Sequence, residues 1–288
     1  MKPIQYQSSK LLSELSTFGI GGPARVFIEV SEIEELCAVL TSAREQNLPY
    51  IVIGKGSNCL FDDKGFDGLV ILNKIAFMKQ EGNEFYVGAG YSFSLLGVQT
   101  ARKGYSGLEF ACGIPATVGG AIYMNAGANG AETADVLSEV EYISAEGERL
   151  LLKRSVLDFS YRTSSFQKKK GAIVAGRFRL QEACAARQKQ LDIITYRTKT
   201  QPYGEKSIGC VFRNPQNLTA GALIEQSGLK GRQVGGAEVS LIHANFIVNK
   251  NQATAKDVLE LVELVRATVK EKTGVELEME IRAIPYYV

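Results

Sequence analysis

The chain has 288 residues, of which 45% are hydrophobic and 22% are charged, and its formal net charge is +2. This composition is typical of a folded globular protein with two or three subdomains, and the balanced charge argues against nucleic acid or a membrane surface as a partner. The single histidine excludes a histidine-rich metal site. Five scattered cysteines without a Cys-x-x-Cys pair fit reduced thiols in the cytoplasm better than a disulfide framework or a zinc site, so we expect no metal.

The first half of the chain predicts strands separated by few helices. The apolar patterns predict strands over 25–30, 49–53, 69–72 and 84–89. A helix is expected to begin at Ser31, with Glu34 completing a capping box. A second helix is expected over 93–102, with Gly104 as its stop. We found no secretory signal pattern and no apolar run of membrane-spanning length.

The second half continues in the same way. Strands are predicted over 140–144, 149–152, 172–180 and 245–248, and helices over 183–199, 220–226 and 254–270. Thr254 and Asp257 are expected to cap the last helix. Many strands with few helices between them predict an α+β fold, with a boundary near the polar helix 183–199.

A short glycine loop, Gly54-Lys-Gly-Ser-Asn58, follows the predicted strand 49–53. It does not fit a Rossmann fingerprint, because Cys59 stands at the sixth position and a turn-rich segment follows. Such a loop can bind phosphate through clustered N–H groups, but a plain strand-to-loop turn fits the spacing equally well.

A longer stretch, residues 107–130, holds six glycines and a single charged side chain, Glu109. Glycine permits positive φ and close approach of the backbone to a ligand. The stretch therefore fits a backbone cradle for a large cofactor, and it fits a tightly turning core segment about as well.

The final predicted strand alternates apolar residues with charged ones. Val275, Leu277, Met279, Ile281 and Ala283 are expected to face the core. The other face carries three carboxylates and an arginine, which is more often a solvated face than a functional one.

Seven motifs, in this order across nearly the whole chain, resemble the UDP-N-acetylenolpyruvoylglucosamine reductase family. They are Thr17–Ala24, Gly54–Asn58, Gly113–Gly120 with Met124–Gly127, Ser160–Ser164, Gly209–Pro215, Gly228–Gly231 with Gly235–Ala237, and Leu277–Arg282. No extra tyrosine-bearing loop lies between Arg179 and Gln201, so the chain resembles the shorter type of this family.

The resemblance implies the α+β FAD-binding fold of the PCMH or vanillyl-alcohol-oxidase type, with two FAD-binding subdomains and a substrate-binding domain. The expected boundaries are 1–76, 77–194 and 195–288. It also implies non-covalent FAD as cofactor and a monomer.

The FAD would be held by residues that match the family's glycine motifs. The first loop would take the pyrophosphate, and the longer stretch would line the pyrophosphate and the flavin ring. The set is Gly54, Lys55, Gly56, Ser57, Asn58, Gly113, Ile114, Gly119, Gly120, Asn125, Gly127 and Ile173.

The reaction implied by the resemblance is the reduction of UDP-N-acetylglucosamine enolpyruvate to UDP-N-acetylmuramate in peptidoglycan precursor synthesis. NADPH would reduce FAD and leave. A hydride from flavin N5 would then reach the terminal enolpyruvyl carbon, and a proton would be added to the neighbouring carbon. Such a site needs a fixed positive charge and a proton donor.

Three residues match the catalytic positions of the family. Arg162 would stabilise the enolate-like charge, and Glu280 would assist from the last strand. Cys210 stands where the family usually has serine and would donate the proton, since a thiol with a pKa of about 8.5 is a better acid than a hydroxyl. A surface ion pair for Arg162 and a buried structural role for Cys210 are the ordinary alternatives.

Substrate-binding positions match at Arg213, Asn214, His243 and Arg282. His243 fits a structural role about as well. The family often has lysine immediately before Gln201-Pro202, whereas here Thr200 stands there and Lys199 lies one place earlier.

Two other functions remain as alternatives to the reductase. A flavin oxidase of the same fold would act on a sugar or alcohol, and Cys112 could then attach the flavin covalently. A non-catalytic nucleotide-binding protein would show no flavin turnover.

Overall fold

The computed structural model describes residues 6–287, which form two compact units. The first unit consists of residues 6–7, 27–55 and 69–197. The second unit consists of residues 8–26, 56–68 and 198–287.

Helices and strands are mixed along the whole described chain, as predicted for an α+β protein. The helices are α1 Ile33–Glu45, α2 Phe93–Arg102, α3 Val118–Met124, α4 Ala186–Thr200, α5 Ala220–Gln226 and α6 Ala255–Thr273. The strands are β1 Lys10–Leu11, β2 Pro23–Val30, β3 Tyr50–Ile53, β4 Cys59–Phe61, β5 Phe66–Asn73, β6 Met78–Glu81, β7 Glu84–Gly88, β8 Tyr105–Ser106, β9 Gly127–Ala128, β10 Ala131–Glu132, β11 Leu137–Ser144, β12 Arg149–Lys153, β13 Phe159–Ser160, β14 Thr163–Ser164, β15 Gly171–Arg179, β16 Gln181–Glu182, β17 Ser207–Cys210, β18 Gln233–Val234, β19 Ala237–Val239, β20 Phe246–Asn249 and β21 Arg282–Ile284. Short 3-10 turns cover Leu12–Glu14, Glu109–Ala111, Thr133–Asp135, Arg154–Val156 and Ser165–Lys168.

The first unit is built on a five-stranded antiparallel sheet with the order β12-β11-β15-β7-β6. Helix α3 contacts β15 and β7, and α2 packs beside the turn at Glu109–Ala111. The core between these elements is largely aromatic, with Phe85, Phe93, Phe110 and Phe178 at most 2% exposed. Strand β3 pairs in parallel with β5 in the same unit, from Tyr50 opposite Leu69 onward.

The second unit contains a four-stranded antiparallel sheet with the order β17-β20-β19-β18. Helix α6 contacts β18, β19 and α5, and its apolar stripe is buried against them. Each fully buried aliphatic side chain of this stripe contributes roughly 1.5–3 kcal/mol of hydrophobic stabilisation. Strands β4 and β21 pair in parallel in this unit.

Helix α6 shows the predicted capping box. The Thr254 hydroxyl accepts a hydrogen bond from the Asp257 N–H at 3.1 Å, and the Asp257 carboxylate accepts one from the Thr254 N–H at 2.9 Å. Gly274 ends the helix with φ of 73°, a conformation that favours glycine. Among the described residues, no helix is both long and apolar enough to cross a membrane.

The expected capping box at Ser31 is wrong. Helix α1 begins at Ile33 after Glu32, whose side chain makes no capping hydrogen bond. The carboxylate of Glu35, and not that of Glu34, accepts the Ser31 N–H at 3.0 Å. The capping contact is thus made one residue later than the spacing predicts.

The final strand is much shorter than predicted. Strand β21 begins only at Arg282, and the preceding segment forms an isolated bridge between Met279 and Phe212. Leu277 and Ile281 are buried as predicted, but Met279 and Glu280 are both partly buried, Ala283 is exposed and Ile284 is buried. The reason is a change of partner, because Arg282 pairs with Cys59 of β4.

Candidate functional site

Gly54 and Lys55, the part of the glycine loop that belongs to the first unit, lie beside the start of α3. A Cβ at Gly54 would lie 2.3 Å from Oγ1 of Thr117, so only glycine fits this contact. Thr117 forms a bridge with Ser92, and the Lys55 ammonium lies 3.3 Å from Oγ of Ser92. Two hydroxyls and one exposed cation therefore gather beside Gly54.

Two glycines in the first turn of α3 differ in their surroundings. The Gly119 N–H donates to the Ala89 carbonyl at 2.8 Å, and a Cβ at Gly119 would lie 2.9 Å from that of Ala89. At Gly120 a Cβ would meet only Oγ1 of Thr117, at 3.5 Å. Gly119 therefore permits close packing, whereas the Gly120 N–H donates to the Thr117 hydroxyl at 3.3 Å and open space lies where its side chain would be.

Gly113 and Ile114 precede α3 in the same unit. Gly113 has φ of 79°, and its N–H donates to Oγ of Ser94 at 2.8 Å. The guanidinium of Arg197 donates to the Gly113 carbonyl at 3.4 Å, while Ile114 packs against the apolar core. These contacts fix the backbone of the turn from both sides.

Asn125, Gly127 and Arg162 come together in the first unit. The buried Asn125 side chain donates to the Ser160 carbonyl at 3.0 Å and accepts the Ala134 N–H at 3.0 Å. Nη2 of Arg162 donates to the Gly127 carbonyl at 2.8 Å. Arg162 also has φ of 56°, which is uncommon outside glycine. The turn that carries Arg162 is thus tied to the glycine-rich stretch at both ends.

The single charged side chain of that stretch, Glu109, is 2% exposed. Its carboxylate accepts the Ser106 hydroxyl at 2.6 Å and the Gly107 N–H at 2.7 Å, and Lys189 lies 3.7 Å away. Although burial acts to raise it, these hydrogen bonds hold the pKa of Glu109 below its ordinary value. Glu109 therefore anchors the beginning of the stretch as a buried carboxylate.

Ile173 lies on β15 and is 7% exposed. Its carbonyl accepts a hydrogen bond from the Asn73 side chain at 3.1 Å. Cys112 is fully buried, and burial raises the pKa of its thiol to about 11.

In the second unit, Cys210 ends β17 after a local bulge. Ser207 lies opposite Val248 and Cys210 opposite Phe246, so β17 holds one extra residue, and Gly209 has φ of 81°. The next two residues are buried, with Val211 0% and Phe212 2% exposed. Cys210 itself is partly exposed.

The segment that carries Glu280 runs alongside Cys210. The Glu280 N–H donates to the Val211 carbonyl at 2.8 Å, and the Arg213 N–H donates to the Glu278 carbonyl at 2.8 Å. Nη1 of Arg213 lies 3.4 Å from the Glu278 carboxylate. The second unit thus brings together the chain segments of Cys210, Arg213 and Glu280.

Asn58, which belongs to the second unit, is bonded to this segment. Its side chain donates to the Glu280 carbonyl at 3.3 Å, and its own carbonyl accepts the Arg282 N–H at 3.0 Å. Gly56 has φ of 59°, and a Cβ there would lie 2.4 Å from the Leu15 carbonyl oxygen. Ser57 lies between them and is partly buried.

Asn214 and His243 both lie near the beginning of α5. The Asn214 side chain accepts the Ala220 N–H at 3.0 Å at the start of this helix. A Cβ at Gly221 would lie 3.3 Å from Cε1 of His243. Burial, with a smaller contribution from the charge of Lys230, lowers the pKa of His243, so the neutral ring is favoured.

Three residues that sequence reasoning did not single out lie at these positions. Ser92 and Thr117 supply the hydroxyls beside Gly54, and both are N-caps of helices, which Ser or Thr before a helix can signal. Asn245 binds the backbone of Phe212, and no local pattern indicates this contact.

Lys199, the lysine that lies one place before Thr200, is exposed near the end of α4.

The donor set beside Gly54 suits a diphosphate, because an ammonium and two hydroxyls lie there and no side chain fills the space at Gly120. No group of three or more histidine, cysteine or acidic side chains within residues 6–287 could hold a metal ion. The ammonium of Lys55 and the hydroxyls of Ser92 and Thr117 fit a phosphate-bearing organic cofactor.

Comparisons with known proteins agree with this geometry. The model of the FAD binding domain family matches residues 24–153, and that of the UDP-N-acetylenolpyruvoylglucosamine reductase C-terminal domain matches residues 201–284. The chain is 59% identical to the UDP-N-acetylenolpyruvoylglucosamine reductase of Protochlamydia amoebophila, over 99% of this chain and 96% of that protein. It is 50% identical to the reductase of Chlamydia muridarum, with the same coverage of both.

Among solved structures, the reductase of Thermus caldophilus matches with a TM-score of 0.84 and 39% identity, over 98% of this chain and all of that one. These matches confirm the predicted α+β FAD-binding fold. The chain belongs to the UDP-N-acetylenolpyruvoylglucosamine reductase family.

Proposed function

We propose that the protein is a FAD-dependent oxidoreductase that uses NADPH to reduce UDP-N-acetylglucosamine enolpyruvate to UDP-N-acetylmuramate. The observation that carries this proposal is the sequence identity of 59% to a reductase of the family, over 99% of the chain and therefore over both units. The product is a peptidoglycan precursor, so the enzyme would serve cell-wall biogenesis and, through it, cell shape and division. We also propose that it acts in the cytoplasm as a monomer, where its five free cysteines stay reduced.

Non-covalent FAD would be held by the glycine loop and the glycine-rich stretch. The diphosphate would meet Lys55 and the free space at Gly120, with the remaining positions at Gly54, Gly56, Ser57, Asn58, Gly113, Ile114, Gly119, Asn125, Gly127 and Ile173. When bound, FAD supplies hydride transfer from NADPH to the enolpyruvyl substrate. Cys112 is a poor candidate for covalent attachment, because its thiol is fully buried. Within this scheme, 1–76 and 77–194 would bind FAD and 195–288 would bind substrate.

Arg162 would stabilise the negative charge that spreads into the substrate carboxylate as the hydride arrives. Its guanidinium is already fixed on the Gly127 carbonyl, so little reorganisation is needed when charge develops. A preorganised charge of this kind is typically among the largest contributions to catalysis.

Cys210 would donate the proton to the neighbouring carbon. One hydride and one proton add across the enolpyruvyl double bond, and the thiolate left behind is reprotonated from solvent. Glu280 would assist from the adjacent segment, where its own N–H donates to the Val211 carbonyl. A positioned general acid contributes roughly 10²- to 10⁴-fold to such a step.

The substrate would be bound by charged and polar groups of the second unit. Arg213, Asn214 and Arg282 would contact its anionic and polar groups. His243, favoured as the neutral ring, would act as a hydrogen-bond donor through Nε2 and not as a cation, because its Nδ1 accepts the Asn245 N–H.

The test is stopped-flow kinetics of the two half-reactions with FAD-loaded protein under anaerobic conditions. NADPH should bleach the flavin, and the enolpyruvyl sugar nucleotide should restore its colour. Cys210→Ala should leave flavin reduction near the parental rate and slow reoxidation by at least roughly 10²-fold, while Cys210→Ser should retain substantial activity. Flavin that is reoxidised only by oxygen would point to an oxidase, and absence of flavin turnover to a binding protein. Normal turnover by Cys210→Ala would refute the proton-donor assignment.

A further inference from the structure

We propose that Asn245 is a positioning residue for the proton transfer. Its side chain locks the backbone of Phe212 and thereby fixes the thiol of Cys210 where the substrate carbon is protonated. This inference rests on the proposed function of Cys210.

The contact is a two-point clamp on the backbone of one residue. Asn245 is 2% exposed; its Oδ1 accepts the Phe212 N–H at 2.9 Å, and its Nδ2 donates to the Phe212 carbonyl at 2.8 Å. The main-chain carbonyl of Asn245 accepts the Val211 N–H at 2.8 Å. One residue therefore satisfies three backbone groups of the two residues that follow Cys210.

The bulge in β17 explains why a side chain makes these bonds. Regular pairing with β20 ends at Cys210 opposite Phe246, after the extra residue and the positive φ of Gly209. Beyond Cys210, regular pairing with β20 no longer supplies backbone hydrogen bonds to Phe212. The amide of Asn245 carries one donor and one acceptor and so replaces the missing peptide.

The clamp also sets the position of Cys210 relative to Glu280. On its other edge the same segment is bonded to Glu278 and Glu280, through Arg213 N–H and the Val211 carbonyl. Phe212 is thus held between Asn245 on one side and the Glu280 segment on the other. Loss of the clamp would leave buried polar groups unpaired, so the segment would shift to satisfy them.

The backbone of Asn245 has a separate contact that the side chain does not affect. Its N–H donates to Nδ1 of His243 at 3.2 Å, which leaves the proton of the neutral ring on Nε2. A change confined to the Asn245 side chain therefore removes the clamp on Phe212 and retains the bond to His243.

Asn245→Asp is the informative variant. It keeps the acceptor for the Phe212 N–H and replaces the donor with an oxygen that faces the Phe212 carbonyl. Asn249→Asp is the matched control, because Asn249 ends β20, the strand that Asn245 immediately precedes, and makes a similar pair of bonds, to the Phe18 carbonyl at 3.0 Å and from the Ala253 N–H at 2.8 Å. The control removes an equivalent donor without touching the segment of Cys210.

In the FAD-loaded Asn245→Asp variant, NADPH should reduce the flavin at a rate within about twofold of the parental rate. Its reoxidation by the enolpyruvyl substrate should be roughly 10- to 100-fold slower, a part of what a positioned acid contributes. The configuration at the newly protonated carbon should become mixed, because solvent can then supply the proton. The Asn249→Asp control should match the parent in both half-reactions.

A double-mutant cycle separates this inference from the proposed function. If Asn245 acts through Cys210, then Asn245→Asp should cause little further slowing in a Cys210→Ala background. Fully additive slowing, or a parental rate in folded Asn245→Asp, would overturn the inference. A normal rate in Cys210→Ala alone would instead refute the proton-donor assignment.

Folding failure is also informative. If Asn245→Asp does not fold, Asn245→Ser is measured in the same way. Failure of both variants to fold while Asn249→Asp folds would overturn the inference in favour of a purely structural role.

Discussion

Gly54 offers a sharp test of how the glycine loop meets α3. An added Cβ would lie 2.3 Å from Oγ1, 2.9 Å from Cγ2 and 3.1 Å from Cβ of Thr117. These distances are shorter than the separation of about 3.5 Å at which nonbonded carbon atoms attract best. Gly54→Ala must therefore displace either the loop or the start of α3.

The expected cost is that of an overpacked contact, about 1–3 kcal/mol. At roughly 2–4 °C per kcal/mol, the Tm of the flavin-free protein should fall by roughly 2–12 °C. FAD should also be retained less well, because Lys55 moves with the loop. The measurements are thermal unfolding and the ratio of flavin to protein absorbance after purification.

Two further variants test the physical reason. Thr117→Ala removes Oγ1 and Cγ2, at a cost of about 1 kcal/mol for the lost helix cap. In the Thr117→Ala background, Gly54→Ala should therefore destabilise the protein much less than it does in the parent. Gly204→Ala is the control, since no atom lies within 4 Å of its added Cβ, and its Tm should not fall. Parental Tm and flavin content in Gly54→Ala, or the same penalty without Thr117, would refute this reasoning.

Two pH-dependent predictions concern buried groups of the two units. The pKa of Glu109 is lowered on folding, so its stabilisation is complete above the ordinary pKa of about 4.3 and is lost as pH falls below it. Glu109→Gln should therefore lower the Tm at pH 7 but differ less from the parent at pH 4; a constant difference would contradict this. The pKa of His243 is also lowered on folding, chiefly by burial, so the parent should lose stability as pH falls below about 6.5. His243→Asn keeps an acceptor for the Asn245 N–H and should lose less stability between pH 7.5 and 5.5, as read from unfolding curves; equal losses would contradict the prediction.

Local chemistry explains which elements could be predicted from the sequence. Helix α2 spans Phe93–Arg102 as predicted, and Gly104 follows it with φ of 81°. Helix α6 has the predicted Thr254 and Asp257 cap. In both helices the start, the apolar stripe and the stop lie within one short segment, so no distant residue is needed to specify them.

Elements whose form depends on distant partners could not be predicted in the same way. The alternation over 275–283 correctly indicated an extended segment, but not that its neighbour changes from Phe212 to β4. Ala283 is exposed for that reason. The Asn245 clamp has no local pattern at all, because it joins residues 33 positions apart in sequence.

The glycine-rich stretch 107–130 shows why its two interpretations could not be separated by composition. Helix α3 forms within it although glycine disfavours helices, because Thr117 caps the first turn and tertiary contacts decide the rest. Gly119 packs so closely on Ala89 that a side chain would collide, which is a core role. Gly120, one residue later, faces open space beside Thr117, which is the geometry of a cradle. The same absence of a side chain serves packing on one face of the turn and ligand approach on the other, so glycine content alone cannot tell a core segment from a binding segment. Only the position of each glycine relative to Ala89 and Thr117 distinguishes them.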